Sequence, residues 1–459
     1  MEEINQQTSV VESPGAYYAQ DYSLKTLNFL TASGQKIELK KLLVELSYYE
    51  DIYNFVVSGY LTVLDSQGFI ESMRMTGNEY IEVNFGKIKN GKNLNDQIFR
   101  VYKIGGRRPS GNMNSEMYTI YFCSEEMLLS EQSKISKSFK GNKISDIVNN
   151  ILTDKLKVTD KRVETIEETT GMYDFVVPRL KPFEAISWVS TYARPKKFPG
   201  ADMLFFETKN GFNFRSLQSM FKEEAYATYK YEQKNLDDKT QPIQEKATTV
   251  LQYEIGKPFD MMNEIASGSM ANRTITIDPL TRSFRQTDFD YNKFKQQAQT
   301  LNKGGVPDSL KNRLGETENQ SFEGVVKMLT SNANQANVPY IKEKQGGFAK
   351  DIAAETFIPN RTAQISLANY TTIKASIPGD PGLTAGRTVN FNLLSLKPTS
   401  NTKELDKFYS GKYLVTAVRH IIQPQGIYQT IMELAKDSSP TSYPTISNDN
   451  AEFKKAINT

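Results

Sequence analysis

The chain has 459 residues, with 56 Lys and Arg against 53 Asp and Glu, and a single His, Cys and Trp. A structural zinc site takes about four Cys or His ligands, and Ser-His-Asp or Cys-His catalysis would have to run through His420 alone. With Cys123 the only cysteine, no disulfide can form within the chain, and a net charge of +3 does not imply a nucleic-acid coat.

Residues 1–20 hold three acids and no Lys or Arg, and read as a flexible arm. They lack the basic and apolar regions of a secretion signal, and no apolar run approaches the roughly 18 residues that span a bilayer. A soluble product of a reducing cytosol, without stable membrane association, is expected. Short runs with turn signals between them then follow at 25–31, 37–46 and 54–64 (NFVVSGYLTVL). Residues 79–85 (EYIEVNF) alternate with period two, setting Tyr80, Glu82 and Asn84 opposite Ile81, Val83 and Phe85. Asn90-Gly91 is a hairpin turn, because both positions tolerate positive φ. Residues 99–104 and 117–123 continue the pattern, so 21–123 read as an antiparallel β domain.

Near Ser124 the period changes. Residues 125–133 and 144–156 carry apolar positions at helical spacing, the second with Ile144, Ile147, Val148, Ile151 and Leu152. A further helix begins at Pro182, a residue suited to a first helical turn. Residues 124–200 are therefore expected to be a helical insert. Strands return at 203–208 and 212–217, joined by Asn210-Gly211, so 201–231 would continue the first β domain. Residues 232–246 read as a linker. A second β unit opens over 247–290, is interrupted by a polar insert at 291–359 and resumes over 360–436, with strands at 371–377, 388–393, 412–422 and 428–434. In the polar insert some helix and mobility are expected, and 437–459 read as a polar tail. The fold class is mainly β with α insertions: two tandem β units.

No motif carries chemistry. Residues 86–93 (GKIKNGKN) approach a phosphate-binding loop but have Asn93 where Ser or Thr should hold magnesium; a lysine-decorated hairpin tip explains Lys89 and Lys92 more simply. Asp288-Phe289-Asp290 opens like a calcium loop, yet Lys293 and Gln299 stand at the required Gly and Glu positions. His420 alternates with Leu414, Thr416, Val418 and Ile422 on a strand, and a structural role outweighs a catalytic one. Cys123 reads as a small buried residue, and Trp188 as helix packing. The adjacent acid pairs at 125–126, 167–168 and 237–238 do not face one another and make poor acid/base pairs. Arg107-Arg108 is a basic spot beside a glycine turn: solvated loop charge, or a contact with phosphate. No cofactor or metal site is read.

Several phrases nonetheless resemble baseplate hub proteins of contractile-tailed bacteriophages. Residues 263–273 (NEIASGSMANR), then Asp278 and 289–291 (FDY), are similar to the central segment of those hubs. Residues 175–178 (FVVP) with 181–189 (KPFEAISWV) and the following hairpin are similar to their helix-hairpin element. The ending, 377–379 (IPG) with Leu383, Gly386 and Val389, then Gly411-Lys412-Tyr413, Val418-Arg419-His420, Tyr428 and Leu434, resembles the last barrel of phage hubs. It also resembles the VgrG spike proteins of type VI secretion. The match runs in order over about residues 50–436 and leaves the polar insert unmatched.

The resemblance implies two tandem tube-like β-barrel domains and a homotrimer that adapts the sixfold tail tube to a threefold central spike. Tape measure and DNA would pass through its channel, with spike, tube and other baseplate proteins as partners. It also implies a place in the virion tail baseplate, assembled in the host cytoplasm, and no enzyme activity. Lys89, Lys92, Arg107 and Arg108 become candidate interface or channel residues. The competing readings are a cell-wall-degrading glycosidase using carboxylates distant in sequence, and a carbohydrate-binding tail-tip module.

Overall fold

The computed structural model describes residues 22–72, 75–87, 97–111, 115–231, 246–257, 260–278, 282–304, 326–330, 340–342, 349–351, 357–395, 404–424 and 427–442. Residues 1–20, read above as an arm, almost all of the expected linker, Lys89, Lys92 and the end of the expected tail lie outside them.

The opening strands are β1 (Tyr22–Leu30), β2 (Lys36–Glu38), β3 (Leu43–Asp51), β4 (Ser58–Asp65), β5 (Tyr80–Lys87), β6 (Gln97–Pro109) and β7 (Glu116–Cys123). They lie in the order β3-β4-β7-β6-β5-β1-β2, and each neighbouring pair is antiparallel. Alternation decides what they bury: Ile81, Val83 and Phe85 point into one core with Leu46, Tyr48, Leu61 and Phe122. The 37–46 run does not form one strand, because a 3-10 turn at Lys40–Leu42 separates β2 from β3.

The segment expected to be a helical insert is mixed. Helices α1 (Glu125–Gln132), α2 (Ile144–Asp154) and α3 (Pro182–Ser190) alternate with strands β8 (Ile135–Asn142), β9 (Val163–Ile166) and β10 (Tyr173–Leu180). The α2 stripe is as read, with Ile144, Ile147, Val148, Ile151 and Leu152 all buried. Pro182 occupies the first turn of α3, and the Glu184 carboxylate accepts the Lys181 N–H at 3.1 Å. Trp188 packs half-buried on the same core, edge-on to Tyr192.

The hairpin β11 (Met203–Thr208) and β12 (Gly211–Ser216) does not continue the opening sheet. It pairs in parallel with β9, in a separate three-stranded sheet. Apolar patterning marks which faces are buried but not which strand lies alongside, and this misassigned the hairpin. Strand β13 (Thr228–Lys230) belongs to the second unit. That unit continues through β14 (Gln252–Lys257), a hairpin of β15 (Ala271–Asp278) and β16 (Ser283–Asp290), β17 (Val326–Thr330), β18 (Tyr340–Lys342) and β19 (Ala349–Asp351). The polar insert thus contributes strands: β17 lies parallel to β15, while β18 joins β10 and β19. Helix α4 (Ile358–Ala368) leads into β20 (Thr371–Pro378), β21 (Thr388–Asn392), β22 (Gly411–Gln423) and β23 (Ile427–Lys436).

The two β units share one sheet of 13 strands. Its path runs β14-β20-β23-β22-β3, then through the opening strands to β2, with β21 and β13 branching from β22; among the described residues it does not close into a barrel. The long strand β22 makes the join: Gly411–Leu414 pair with β21, whereas Ala417–Ile422 pair with β3. A register shift between Val415 and Ala417 inserts Thr416 as a bulge, so that Tyr413, Val415 and Val418 all face the second core. His420 therefore does not share its row with Leu414 and Thr416, as strict alternation would have it. Ile422 and Tyr428 reach the first core, while Met432 and Leu434 serve the second.

Candidate assembly joints and surfaces

Two buried carboxylates tie separate parts of the fold together. Glu50, on the inward row of β3 with Leu46 and Tyr48, is 1% exposed. It accepts the Lys209 backbone N–H at 2.8 Å, the Ala385 N–H at 3.0 Å and the Tyr48 hydroxyl at 3.2 Å. One side chain thus holds β3, the β11–β12 turn and the β20–β21 loop, and burial raises its pKa. Nearby, the Lys209 ammonium donates to the Pro381 carbonyl, and burial lowers its pKa. Asp380 accepts the Tyr226 and Tyr229 hydroxyls, each at 3.2 Å.

Glu207, on β11, forms the second joint. It accepts the Ser124 hydroxyl at 2.5 Å, the Val57 N–H at 2.9 Å and one arm of the Arg162 guanidinium, whose other arm goes to Glu126. Ser124 stands at the N-cap of α1 but spends its hydroxyl on Glu207 rather than on its own helix. Period-two alternation could have flagged Glu50 as an inward acid; nothing local could pair Glu207 with Arg162, 45 residues away.

The candidate surface residues separate. Lys89 and Lys92 lie outside the described residues. Arg107 and Arg108 sit on the far half of β6, beyond the β5 pairing that ends at Arg100, at a register shift between Gly105 and Arg108. Arg107 bonds Glu116 at 2.6 Å and Glu71 at 3.1 Å, and Arg108 approaches the Met117 sulfur at 3.5 Å. Charge and a bulge on an open strand segment protect it against stray pairing. Arg107 is consequently an ion-paired edge residue rather than a bare cation.

Two exposed apolar features were not singled out by sequence. The outer face of the β15–β16 hairpin carries Phe284, 73% exposed, opposite Ile277, 42% exposed. An apolar groove of about 470 Å³ opens beside α1, lined by Phe55, Val56, Tyr102, Cys123, Met127 and Leu128.

No family model matches the chain. Among solved structures, it resembles a tail protein of Neisseria meningitidis MC58 at TM-score 0.51 and 10% identity, over 92% of this chain and 100% of that one. It also resembles the 43 kDa tail protein of prophage MuSo2 from Shewanella oneidensis at TM-score 0.50 and 7% identity, over 90% and 98%. These likenesses establish the fold. The probable baseplate hub protein gp334 of Vibrio phage KVP40 is 25% identical over 409 residues, covering 86% of this chain and 90% of that protein. The chain is a homologue of a phage baseplate hub protein. The resemblance read from residues 50–436 points to the same kind of protein as this relative.

Several groups of the hub homologue that could titrate or react are buried. His420 is 1% exposed, its Nδ1 within 3.1 Å of the Thr430 hydroxyl and 3.0 Å of the Tyr428 hydroxyl, and burial lowers its pKa to about 3. Burial pushes the Cys123 thiol up to about 12. Asp202 and Asp437, both buried, rise to about 6 for the same reason. Among the described residues no helix is long and apolar enough to cross a membrane.

The two aspartates give the fold a pH dependence whose sign is fixed. Unfolded, each titrates near about 3.9, so the folded state binds protons more tightly. Their contribution to stability is fully present below the unfolded pKa and is lost as pH rises through about 6. His420 opposes them: between about 6.5 and 3 the unfolded chain takes up a proton that the folded chain excludes. Between pH 6 and about 4 the two aspartates together should outweigh His420, so their net contribution to the thermal midpoint rises as pH falls through that window. Asp202→Asn should flatten that rise. An Asp202→Asn variant whose midpoint tracks the parent's unchanged between about pH 6 and 4 contradicts the assignment.

Proposed function

We infer that this chain is the structural hub of a contractile phage tail. It forms a homotrimer that adapts the sixfold tail tube to the threefold central spike and lets tape measure and DNA pass. The observation that carries the reading is the pair of β units, each with its own core, fused through β22 and pinned at Glu50. Three copies of a duplicated unit present six similar surfaces, so threefold symmetry becomes approximate sixfold symmetry. A continuous sheet and buried polar joints hold the two units in fixed relation, as an adaptor under ejection load requires. The homology to a baseplate hub protein supports the same role.

The hub is not an enzyme on this reading, because its raised carboxylates are engaged inside the joints. Glu50 and Asp437 accept backbone N–H groups, and Glu207 takes Arg162. A glycosidase needs two carboxyls flanking an open cleft. The hub would assemble in the host cytoplasm and reside in the virion baseplate, with the spike, tube and other baseplate proteins as partners. Lys89, Lys92, Arg107 and Arg108 would lie on its end faces or channel.

The deciding measurement is the mass of the purified chain, alone and mixed with the spike protein. Three copies are expected, joined by spike in the mixture. Arg107→Ala with Arg108→Ala should weaken capture of spike or tube protein without unfolding the chain, while unchanged capture removes those two from the interface. A chain that stays monomeric and ignores the spike overturns the trimeric hub.

A further inference from the structure

We propose that the β15–β16 hairpin of one copy inserts Phe284 and Ile277 into the apolar groove beside α1 of the next copy, forming the ring contact of the homotrimer. The proposal rests on the trimeric reading above and names the surfaces that would build it.

The hairpin is patterned inside out. Along β15, Asn272, Thr274 and Thr276 are buried, while Ile277 on the other face is exposed and Ile275 only half-buried. The Asn272 side-chain oxygen and the Thr274 and Thr276 hydroxyls are buried without a hydrogen-bond partner among the described residues. A one-residue slip would exchange the two rows and bury the isoleucines instead. The base of the hairpin fixes the register against that slip: Met270 and Phe289 pack with Leu367 of α4, and Arg273 forks onto Asp288 at 2.8 and 3.1 Å. The outer row is therefore held outward, with Ile277 directly opposite Phe284. An apolar pair set on a three-stranded sheet, with β15 central and β16 at the edge, is the form of an interface anchor.

The same chain carries a receptor of matching chemistry. The groove is open, and its lining is mainly aromatic and aliphatic: Phe55, Val56, Tyr102, Met127 and Leu128. Its volume of about 470 Å³ falls within the range of pockets that accept a ligand anchor. Charge agrees as well, since Arg282 is exposed beside Phe284, while at the groove Glu131 shares the single Lys181 with Glu184, Glu131 at 2.6 Å and Glu184 at 3.9 Å. Symmetry selects the occupant. A threefold ring cannot use one self-complementary patch; each subunit must offer two different surfaces, one to each neighbour. An exposed apolar pair on this sheet and an apolar groove elsewhere on the same chain meet that requirement, so a second copy fits better than an unrelated protein.

The test uses the full chain at the highest concentration reached, weighed by light scattering or native mass spectrometry. Phe284→Asp is expected to convert three copies into one that keeps the parent's circular dichroism spectrum and unfolds cooperatively at a midpoint no longer dependent on protein concentration, and Leu128→Asp to do the same from the other side. A cross-link reads the contact directly. In a Cys123→Ser background, Phe284→Cys combined with Leu128→Cys should give covalent dimers and trimers on mild oxidation, and either cysteine alone should not. A trimer that survives Phe284→Asp and yields no cross-link overturns this contact while leaving the trimeric hub standing. A chain that remains monomeric overturns both.

Discussion

Glu207→Ala is expected to cost about 2–4 kcal/mol of folding stability at pH 8, since each buried donor left without an acceptor costs about 1–3 kcal/mol. Three donors lose their acceptor at once: the Val57 N–H, the Ser124 hydroxyl and one arm of Arg162. Val57 and Ser124 lie where the opening sheet hands over to α1, Arg162 leads into β9, and Glu207 stands on β11. The loss is therefore shared among all three pieces rather than confined to one. Burial raises the Glu207 pKa to about 7, with Arg162 opposing, so the experiment belongs at pH 8, where the carboxylate is charged. Glu207→Gln keeps an acceptor for Val57 and Ser124 and should recover part of the loss. Chemical denaturation of both variants against the parent checks this. Equal stability of Glu207→Ala and the parent would mean that the joint carries no load.

What was legible in the chain followed from local period. Ile81, Val83 and Phe85 are buried where alternation put them, and the α2 stripe from Ile144 to Leu152 faces its core. The order of family phrases along residues 50–436 was legible too, and it carried the functional reading further than any single residue could. What failed was non-local. The hairpin at 203–216 shows the apolar runs of a strand buried on both faces, a pattern that names no neighbour, and β9 is a parallel partner across 45 intervening residues or more. The insert was read as helical because α2 and α3 have strong periodicity. Strand β8 was hidden by the exposed Lys137 and Lys140, which break its alternation, and β10 by Pro178 within the strand. The bulge at Thr416, which lets one strand serve two cores, depends on a register that only the partners of β22 define. The candidate surface was the least legible part. Lysines and arginines were chosen for charge, whereas the features that stand out in the fold are the outward Phe284 and the groove at Met127 and Leu128.

Gly211→Ala tests the parallel junction that sequence could not foresee. Gly211 has φ +138°, a backbone region that side chains with a Cβ rarely adopt, and holding one there costs about 1–3 kcal/mol. Space adds to the strain. A Cβ at Gly211 would lie 2.4 Å from the Arg162 carbonyl oxygen and 2.8 Å from its carbon, both backbone atoms that cannot swing aside. Relief requires β12 to move away from β9, and overpacking of that kind costs about a further 1–3 kcal/mol. The displaced residue is Arg162 itself, whose guanidinium clamps Glu126 and Glu207. Gly211→Ala and Glu207→Ala should therefore be non-additive, the double variant losing less than the two single losses together, because each releases the same clamp. Denaturation of the two single variants and the double variant measures that coupling. Strict additivity would show that the backbone at Arg162 absorbs the new methyl group without moving its side chain.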